Sequence, residues 1–370
     1  MLGLLVVVNF CTQLAIDLIF SFWGKYFNPH TALRITPLLT GVGLMIYALI
    51  PLFFPEKAFV GLVAGTIVFS LSAGLSEVLV SPTVDALPSE THDKDMAALH
   101  SLYGYGLVVV IGLSTVFFKV FGTENWMYLI MFWATPPVIA SVLLFRAVLP
   151  DMDTAGDTDG VRLKKRTMGL FLCMLCIFFG SCAENSMTNW ISSYLEISLH
   201  IPKTVGDIFG LMLFAVLLSL TRSWYAKSGK NIYKVLMLSM IGAIFCYMAA
   251  GLSPIPIVSM LACVLTGICT AMLWPGTLIY MDEKIPHAGV AAYALMAAGG
   301  DLGASIAPEL LGVITDSVAA SDWGISFSQT LSIAPDEFGM KIGMLAAAIF
   351  PAIGVGVLLY MKKYFKGITA

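Results

Sequence analysis

Residues 58–82 read AFVGLVAGTIVFSLSAGLSEVLVSP, and the one charge in that stretch is Glu77. A helix needs about 20 mostly apolar residues to cross the hydrocarbon core of a bilayer. This stretch is long enough, and working outward from it the pattern recurs. Apolar runs precede it at 3–22 and 33–54 and follow it at 101–121 and 126–149. A polar segment comes next, with Asp151, Asp153, Asp157 and Asp159, then Arg162, Lys164, Lys165 and Arg166. Apolar runs resume at 167–195, 205–225, 232–252, 255–281, 288–317 and 339–363. Across all 370 residues, 58% are hydrophobic and 12% charged, against about 45–50% and about 25% in soluble domains. So few charges could not cover so much apolar surface in water. Soluble enzyme, nucleic-acid binder and disordered scaffold are poor readings, and a net charge of −3 leaves no basic footprint for a phosphate backbone. The sequence predicts an all-α integral membrane protein with eleven spans, five before the polar segment and six after it.

The domain organisation follows from that count: a five-helix half over 1–149, a linker over 150–166 and a six-helix half over 167–370. Positive charge sets the orientation. Sixteen of the twenty Lys and Arg residues fall on one set of alternating loops, including Lys25, Arg34, Lys94, Arg146, Arg222, Lys227 and Lys284. Lys57, Lys119, Lys203 and Lys341 fall on the other. Basic loops stay in the cytoplasm, so the linker and C-terminus are expected there, in a multi-pass protein of the cytoplasmic (inner) membrane. Met1 then lies on the outer face. The helix and basic loop ending at Lys227-Ser-Gly229-Lys230 resemble the first span and its loop at Ser21-Phe-Trp-Gly24-Lys25, one helix earlier in its half. The expectation is that the first half lacks an opening helix.

Seven cysteines lie inside apolar runs, where Cys173-x-x-Cys176 reads as packing rather than as a disulfide or metal motif. The five histidines, among them His92, His100 and His287, fall in loops or at helix ends with no partner at zinc-ligand spacing. No catalytic motif occurs, so no catalytic residue and no metal site is expected.

What breaks the apolar pattern carries the functional reading. A charge at mid-bilayer costs at least about 2.5–3.5 kcal/mol, which makes intramembrane carboxylates functional candidates. Asp17, Glu77, Glu184 and Asp301 are such residues. In the sixth span Glu184 and Thr188 share one helix face, and Asn185, Asn189 and Ser192 lie beside them. A polar flank on a lipid-surrounded helix must face protein or water, and here it suits solute contact. Asp301, Ser305 and Glu309 form a second stripe. Trp274-Pro275-Gly276 joins an aromatic face to a helix break. Gly61-x-x-x-Gly65 and Gly299-x-x-x-Gly303 read as close helix packing. Arg34, Arg146, Asp85 and Glu90 gather on the cytoplasmic side, where ion pairs could form a gate or remain solvated loop charges.

Several stretches resemble the major facilitator superfamily, and within it the fucose-permease-like sugar porters. They are Asn9-Phe-Cys-Thr12-Gln13-Leu-Ala-Ile-Asp17, Glu77-Val-Leu-Val-Ser-Pro82, Ala183-Glu184-Asn-Ser-Met-Thr-Asn189-Trp190, Leu273-Trp274-Pro275-Gly276 and Ala298-Gly-Gly-Asp301-Leu-Gly303. The likeness covers nearly the whole chain and starts at what would be the family's second helix. It implies two pseudo-symmetric halves that rock around a central cavity. It also implies that Glu77 is a proton-coupling carboxylate, that Glu184, Asn185 and Asn189 are cavity positions, and that Trp274 lies on the tenth helix of the family. The loop from Gly24 to Arg34 departs from the superfamily's usual acidic and arginine-rich pattern.

The combined expectation is a secondary active transporter of a small polar solute, a sugar or related metabolite, driven by a proton gradient without further cofactor. Glu184, Asn185, Thr188, Asn189 and Trp274 are the expected solute contacts, and Glu77 and Glu184 the coupling groups. Asp17, Arg34, Asp85 and Asp301 are expected in gating or packing between the halves. The expected partners are the solute and the lipid bilayer, with no nucleic acid, and the protein is expected to be a monomer. The alternatives are an exporter of amphiphilic compounds and a non-transporting membrane sensor.

Overall fold

The computed structural model describes residues 2–152, 160–229, 231–285 and 288–369. Asp153, Asp157, Asp159, Lys230 and His287 lie outside the described residues, as do the side chains of 160–165. No strand occurs among the described residues. In chain order the helices are α1 (Leu2–Trp23), α2 (Pro29–Phe53), α3 (Ala58–Asp85), α4 (His92–Phe121), α5 (Trp126–Trp133), α6 (Thr135–Arg146) and α7 (Gly160–Leu199). There follow α8 (Lys203–Gly206), which runs through a π-turn into α9 (Leu213–Ser228), then α10 (Ile232–Leu252) and α11 (Pro256–Thr270). The last are α12 (Leu273–Lys284), α13 (Val290–Ala320), α14 (Asp322–Thr330), α15 (Pro335–Ala347) and α16 (Ile349–Thr369). Among the described residues eleven stretches of helix are long and apolar enough to cross a membrane, each matching one apolar run of the sequence.

The helix ends differ from the apolar runs for local reasons. Helix α4 starts at His92 because Asp93 and Asp95 occupy its first turn, where negative charge favours the exposed N–H groups. His100 therefore lies inside a helix and not at its end. Helix α7 starts at Gly160, within the stretch read as linker. The fifth span is broken at Ala134 because Pro136 has no N–H for the carbonyl of Phe132. The Thr135 hydroxyl donates to that carbonyl instead, at 2.8 Å. Helix α14 lies outside the eleven spans. Ser321 caps it by accepting from Gly324 N at 3.1 Å, and Trp323 and Phe327 pack on Phe338 of α15.

By contacts the chain divides into two compact units: Met1–His92 with Leu113–Leu163 and His287–Asp301, and Asp93–Gly112 with Lys164–Pro286 and Leu302–Ala370. In the first unit α2 and α3 run at backbone contact. A Cβ on Gly65 would sit 2.6 Å from the backbone nitrogen of Tyr47. Hydroxyls of α3 tie it to both neighbours, with Ser72 donating to the Thr36 carbonyl of α2 at 2.6 Å and Ser70 to Asn9 Oδ1 of α1 at 2.7 Å. Such bonds and close small-residue contacts hold helices together where lipid removes the hydrophobic drive. Phe20, Leu33, Leu75, Val78 and Leu79 form a core that Val290, Ala294 and Ala297 of α13 complete.

In the second unit Tyr194, Tyr225, Tyr247 and Phe214 are fully buried. The Tyr247 hydroxyl donates to the Ala183 carbonyl at 2.6 Å. All seven cysteines are free thiols. On the outside of both units large apolar side chains such as Phe22, Val120, Leu238 and Phe245 are exposed, while Ser70, Ser72, Ser219 and Thr266 are buried. That distribution suits a hydrocarbon surround.

Gly65→Leu should lower stability by at least about 1–3 kcal/mol, because the added side chain has no room at the α2–α3 contact. Val60→Leu, at an exposed position of the same helix, should stay within about 0.5 kcal/mol. Thermal unfolding of the purified full chain in detergent distinguishes the two, and equal Tm values would contradict the packing account.

Candidate functional site

Two groups of buried charge stand out, one in each unit. The first is built where α1 and α3 approach at Gly74. A Cβ there would sit 3.0 Å from Ile16 Cβ and 3.2 Å from the Gln13 carbonyl oxygen. Glu77 follows Gly74 by three residues and Asp17 follows Gln13 by four, so both turn into the same contact. Helix α13 lays Val290, Ala294 and Ala297 on the shared core, and Asp301 continues that face by one more turn. One carboxylate oxygen each from Asp17, Glu77 and Asp301 lies within 4.8 Å of the other two.

Two of the three acids are buried and Glu77 is half-buried. Asp17 is 0% exposed and Asp301 5%. Among the described residues neither oxygen of Asp17 has a hydrogen-bond partner, nor has Oε2 of Glu77. Neither Asp17 nor Glu77 takes part in an ion pair among the described residues. Negative charges this close repel strongly where the dielectric is low, and a buried charge is costly unless it is paired. The sequence had set Glu77 apart from Asp17 and Asp301; the fold brings all three together.

The second group centres on Glu184 of α7, and its partner is Arg222 of α9. Arg222 Nη2 lies 3.2 Å from Glu184 Oε2 and 3.4 Å from Oε1. The Arg222 side chain is 3% exposed and that of Glu184 13%. Two backbone carbonyls fix the guanidinium: Nε donates to Ala271 at 2.7 Å and Nη1 to His100 at 3.0 Å. Ala271 has a free carbonyl for a reason legible in the chain. In a continuous helix its oxygen would accept from residue 275, which is Pro275 and has no N–H. The helix breaks there, between α11 and α12, and Arg222 supplies the missing donor. The Trp274-Pro275-Gly276 motif thus positions Arg222, and Arg222 positions Glu184.

Arg222 was missed in the sequence because it was counted among loop cations. It lies inside α9 on the buried stripe Phe214, Ala215, Leu218, Ser219, Arg222 and Tyr225. That i, i+4 recurrence was the signal that could have found it.

The polar flank of α7 is ordered by its own backbone. Asn185 Nδ2 donates to the Ser181 carbonyl at 3.1 Å, Asn189 Nδ2 to the Asn185 carbonyl at 2.9 Å and Thr188 Oγ1 to the Glu184 carbonyl at 2.8 Å. The side-chain carbonyl oxygens of Asn185 and Asn189 accept nothing among the described residues, which leaves two oriented acceptors. Helix α12 touches α7 where the Thr277 hydroxyl meets Cys176 Sγ at 3.5 Å, and Trp274 is half-buried on α12. Arg34 donates from Nη2 to the Ala147 carbonyl at 3.2 Å and pairs with neither Asp85 nor Glu90. Asp85 is the last residue of α3.

Removing one partner of a buried ion pair leaves the other uncompensated, at a cost of about 3–5 kcal/mol. Arg222→Met should therefore lower Tm sharply in detergent, and the double variant Arg222→Met/Glu184→Gln should recover most of the loss. Equal losses in the single and double variants would contradict the pairing.

Against known proteins, residues 1–308 match the sequence model of the Major Facilitator Superfamily. No curated protein is significantly similar in sequence. The fucose:proton symporter FucP of E. coli aligns in structure with a TM-score of 0.69 at 12% identity, over 95% of this chain and 90% of that one. For the proton:xylose symporter XylE bound to 6-bromo-6-deoxy-D-glucose the TM-score is 0.71 at 14% identity, over 94% and 85%. For the human organic anion transporter MFSD10 it is 0.68 at 10% identity, over 96% and 82%. At these identities the structural likeness concerns the fold. The sequence match over most of its length and the helical architecture agree: this chain is a multi-pass membrane protein that belongs to the Major Facilitator Superfamily.

Proposed function

We propose that the chain is a secondary active transporter that moves a sugar or related small polar solute across the cytoplasmic membrane by alternating access, driven by a proton gradient. The observation that carries this reading is the intramembrane carboxylate cluster of Asp17, Glu77 and Asp301, in which Asp17 and Glu77 have no cationic partner among the described residues. Intramembrane acids without a countercharge in a transporter family are groups that take up and release a cation. Glu77 is the coupling residue in this reading.

The solute face is α7. Free amide oxygens on Asn185 and Asn189 would accept from solute hydroxyls, and Trp274 would offer a flat apolar surface. Glu184, held by Arg222, would keep one carboxylate edge towards the solute. Under the division of the chain into halves 1–149 and 167–370, Asp17 and Glu77 belong to the first half and Asp301 to the second. A cation in the cluster would then favour their approach, and its loss would favour their separation. Ion occupancy and access are coupled by that difference.

The experiment is solute uptake into vesicles containing the purified full chain. Glu77→Gln should abolish uptake driven by a proton gradient and leave solute exchange intact, because a permanently neutral side chain permits reorientation but carries no proton. Gradient-driven uptake that survives unchanged in Glu77→Gln overturns the coupling role, and failure of every sugar to exchange in the wild type overturns the solute class.

A further inference from the structure

We propose that a groove between α2 and α6 binds one anionic phospholipid of the leaflet on the side of the basic loops, with an acyl chain along α2 and the phosphate against Arg34. The groove has a volume of about 380 Å³, and Leu38, Val42, Met45, Leu49 and Ile50 of α2 line it together with Val138 of α6. Helix α6 comes close at Gly41, where a Cβ would lie 3.5 Å from Val138 Cγ2 and 3.7 Å from the Ala134 carbonyl oxygen. Leu38, Val42 and Val138 are exposed, so the groove opens outward. At a rise of about 1.5 Å per residue, Leu38 and Ile50 stand about 18 Å apart along α2. One leaflet's share of the hydrocarbon core is about 15 Å. The groove therefore has the length and the polarity of a single acyl chain, and it runs along a helix that spans the membrane.

The second observation is the cation at the end of that groove. Arg34 precedes Leu38 by four residues and so shares its face of α2. It donates one hydrogen bond, to the Ala147 carbonyl at 3.2 Å, while its Nε is buried without a partner. No acid answers it, since neither ion pair among the described residues includes Arg34. Buried polar atoms are nearly always satisfied, and an orphaned guanidinium nitrogen marks the place of an acceptor. Arg146, the last residue of α6, is exposed and makes no hydrogen bond or ion pair among the described residues. His30 donates from Nε2 to the Pro150 carbonyl at 2.8 Å. That bond and the one from Arg34 to Ala147 hold the start of α2 against the end of α6, so both arginines stand at the same end of the groove.

Charge complementarity decides the occupant. Guanidinium groups bind phosphate through paired hydrogen bonds, and basic pockets between spans take anionic head groups. A zwitterionic lipid brings its own cation beside the phosphate. Neither α2 nor α6 carries an Asp or Glu to receive that cation, so two arginines here favour a lipid of net negative charge. A free phosphate ester would satisfy Arg34 but leave the apolar groove unfilled. Only a phospholipid meets both ends of the site.

Native mass spectrometry of the purified full chain in detergent, titrated with dioleoyl phosphatidylglycerol or dioleoyl phosphatidylcholine, tests this without reference to transport. The wild type should bind one phosphatidylglycerol at least about tenfold more tightly than phosphatidylcholine. Arg34→Gln and Arg146→Gln should each cut that preference about fivefold. Val42→Trp fills the groove and should weaken binding of both lipids. Val116→Trp, at an exposed position of α4, should weaken neither. Tm values in detergent establish that each variant folds. If Val42→Trp does not fold, Val138→Trp takes its place, and Arg146→Gln does the same for Arg34→Gln. Equal affinity of the wild type for the two lipids overturns the proposal. So does a preference unchanged in the arginine variants, or phosphatidylglycerol binding undiminished in a folded groove variant. Glycerol 3-phosphate that displaces phosphatidylglycerol at equal concentration overturns the role of the groove and with it the lipid assignment.

Discussion

A charge inside a bilayer must be answered by something, and this protein answers its buried carboxylates in two different ways. Glu184 is met by Arg222, which is itself held by backbone carbonyls of Ala271 and His100. That arrangement is self-contained: Pro275 leaves a carbonyl without a donor, the guanidinium fills the gap, and its remaining edge faces the acid. Asp17, Glu77 and Asp301 are gathered differently. One carboxylate oxygen of each lies within 4.8 Å of the other two, and neither Asp17 nor Glu77 meets a cation among the described residues.

The contrast sorts the two groups by task. A permanent ion pair keeps its charge balance throughout a transport cycle, so Glu184 suits a fixed wall against which a polar solute is bound. In the proposed transport reading, the other cluster changes its charge whenever a proton enters or leaves. The same core that holds Phe20, Val78 and Leu79 against Ala294 and Ala297 lies one turn from the acids. On that reading, protonation of the cluster would bear on how firmly the start of α13 stays on α1 and α3.

Composition and apolar run length were enough to read the spans, because the bilayer imposes a length and polarity on each helix separately. The carboxylates were legible for the same reason, each as a break in an apolar run. What linked them was not. Asp17, Glu77 and Asp301 lie far apart in the chain, and only the close approach at Gly74 and the apolar face of α13 bring them together. Likewise Trp274-Pro275-Gly276 announced a helix break, but nothing local pointed from the freed Ala271 carbonyl to Arg222. Counting Arg222 with the loop cations hid it, although the buried stripe from Phe214 to Tyr225 ran through it. Short-range chemistry such as the Thr135 hydroxyl rescuing the Phe132 carbonyl was within reach of the sequence, since donor and acceptor are three residues apart.

The central claim is that solute crosses together with a proton carried by the carboxylates of α1 and α3. It is tested most directly in vesicles containing the full chain, with no imposed gradient, by recording internal pH while sugars are added outside. The account predicts that a transported sugar carries a proton inward with it. Sugar entry without inward proton movement would contradict the account.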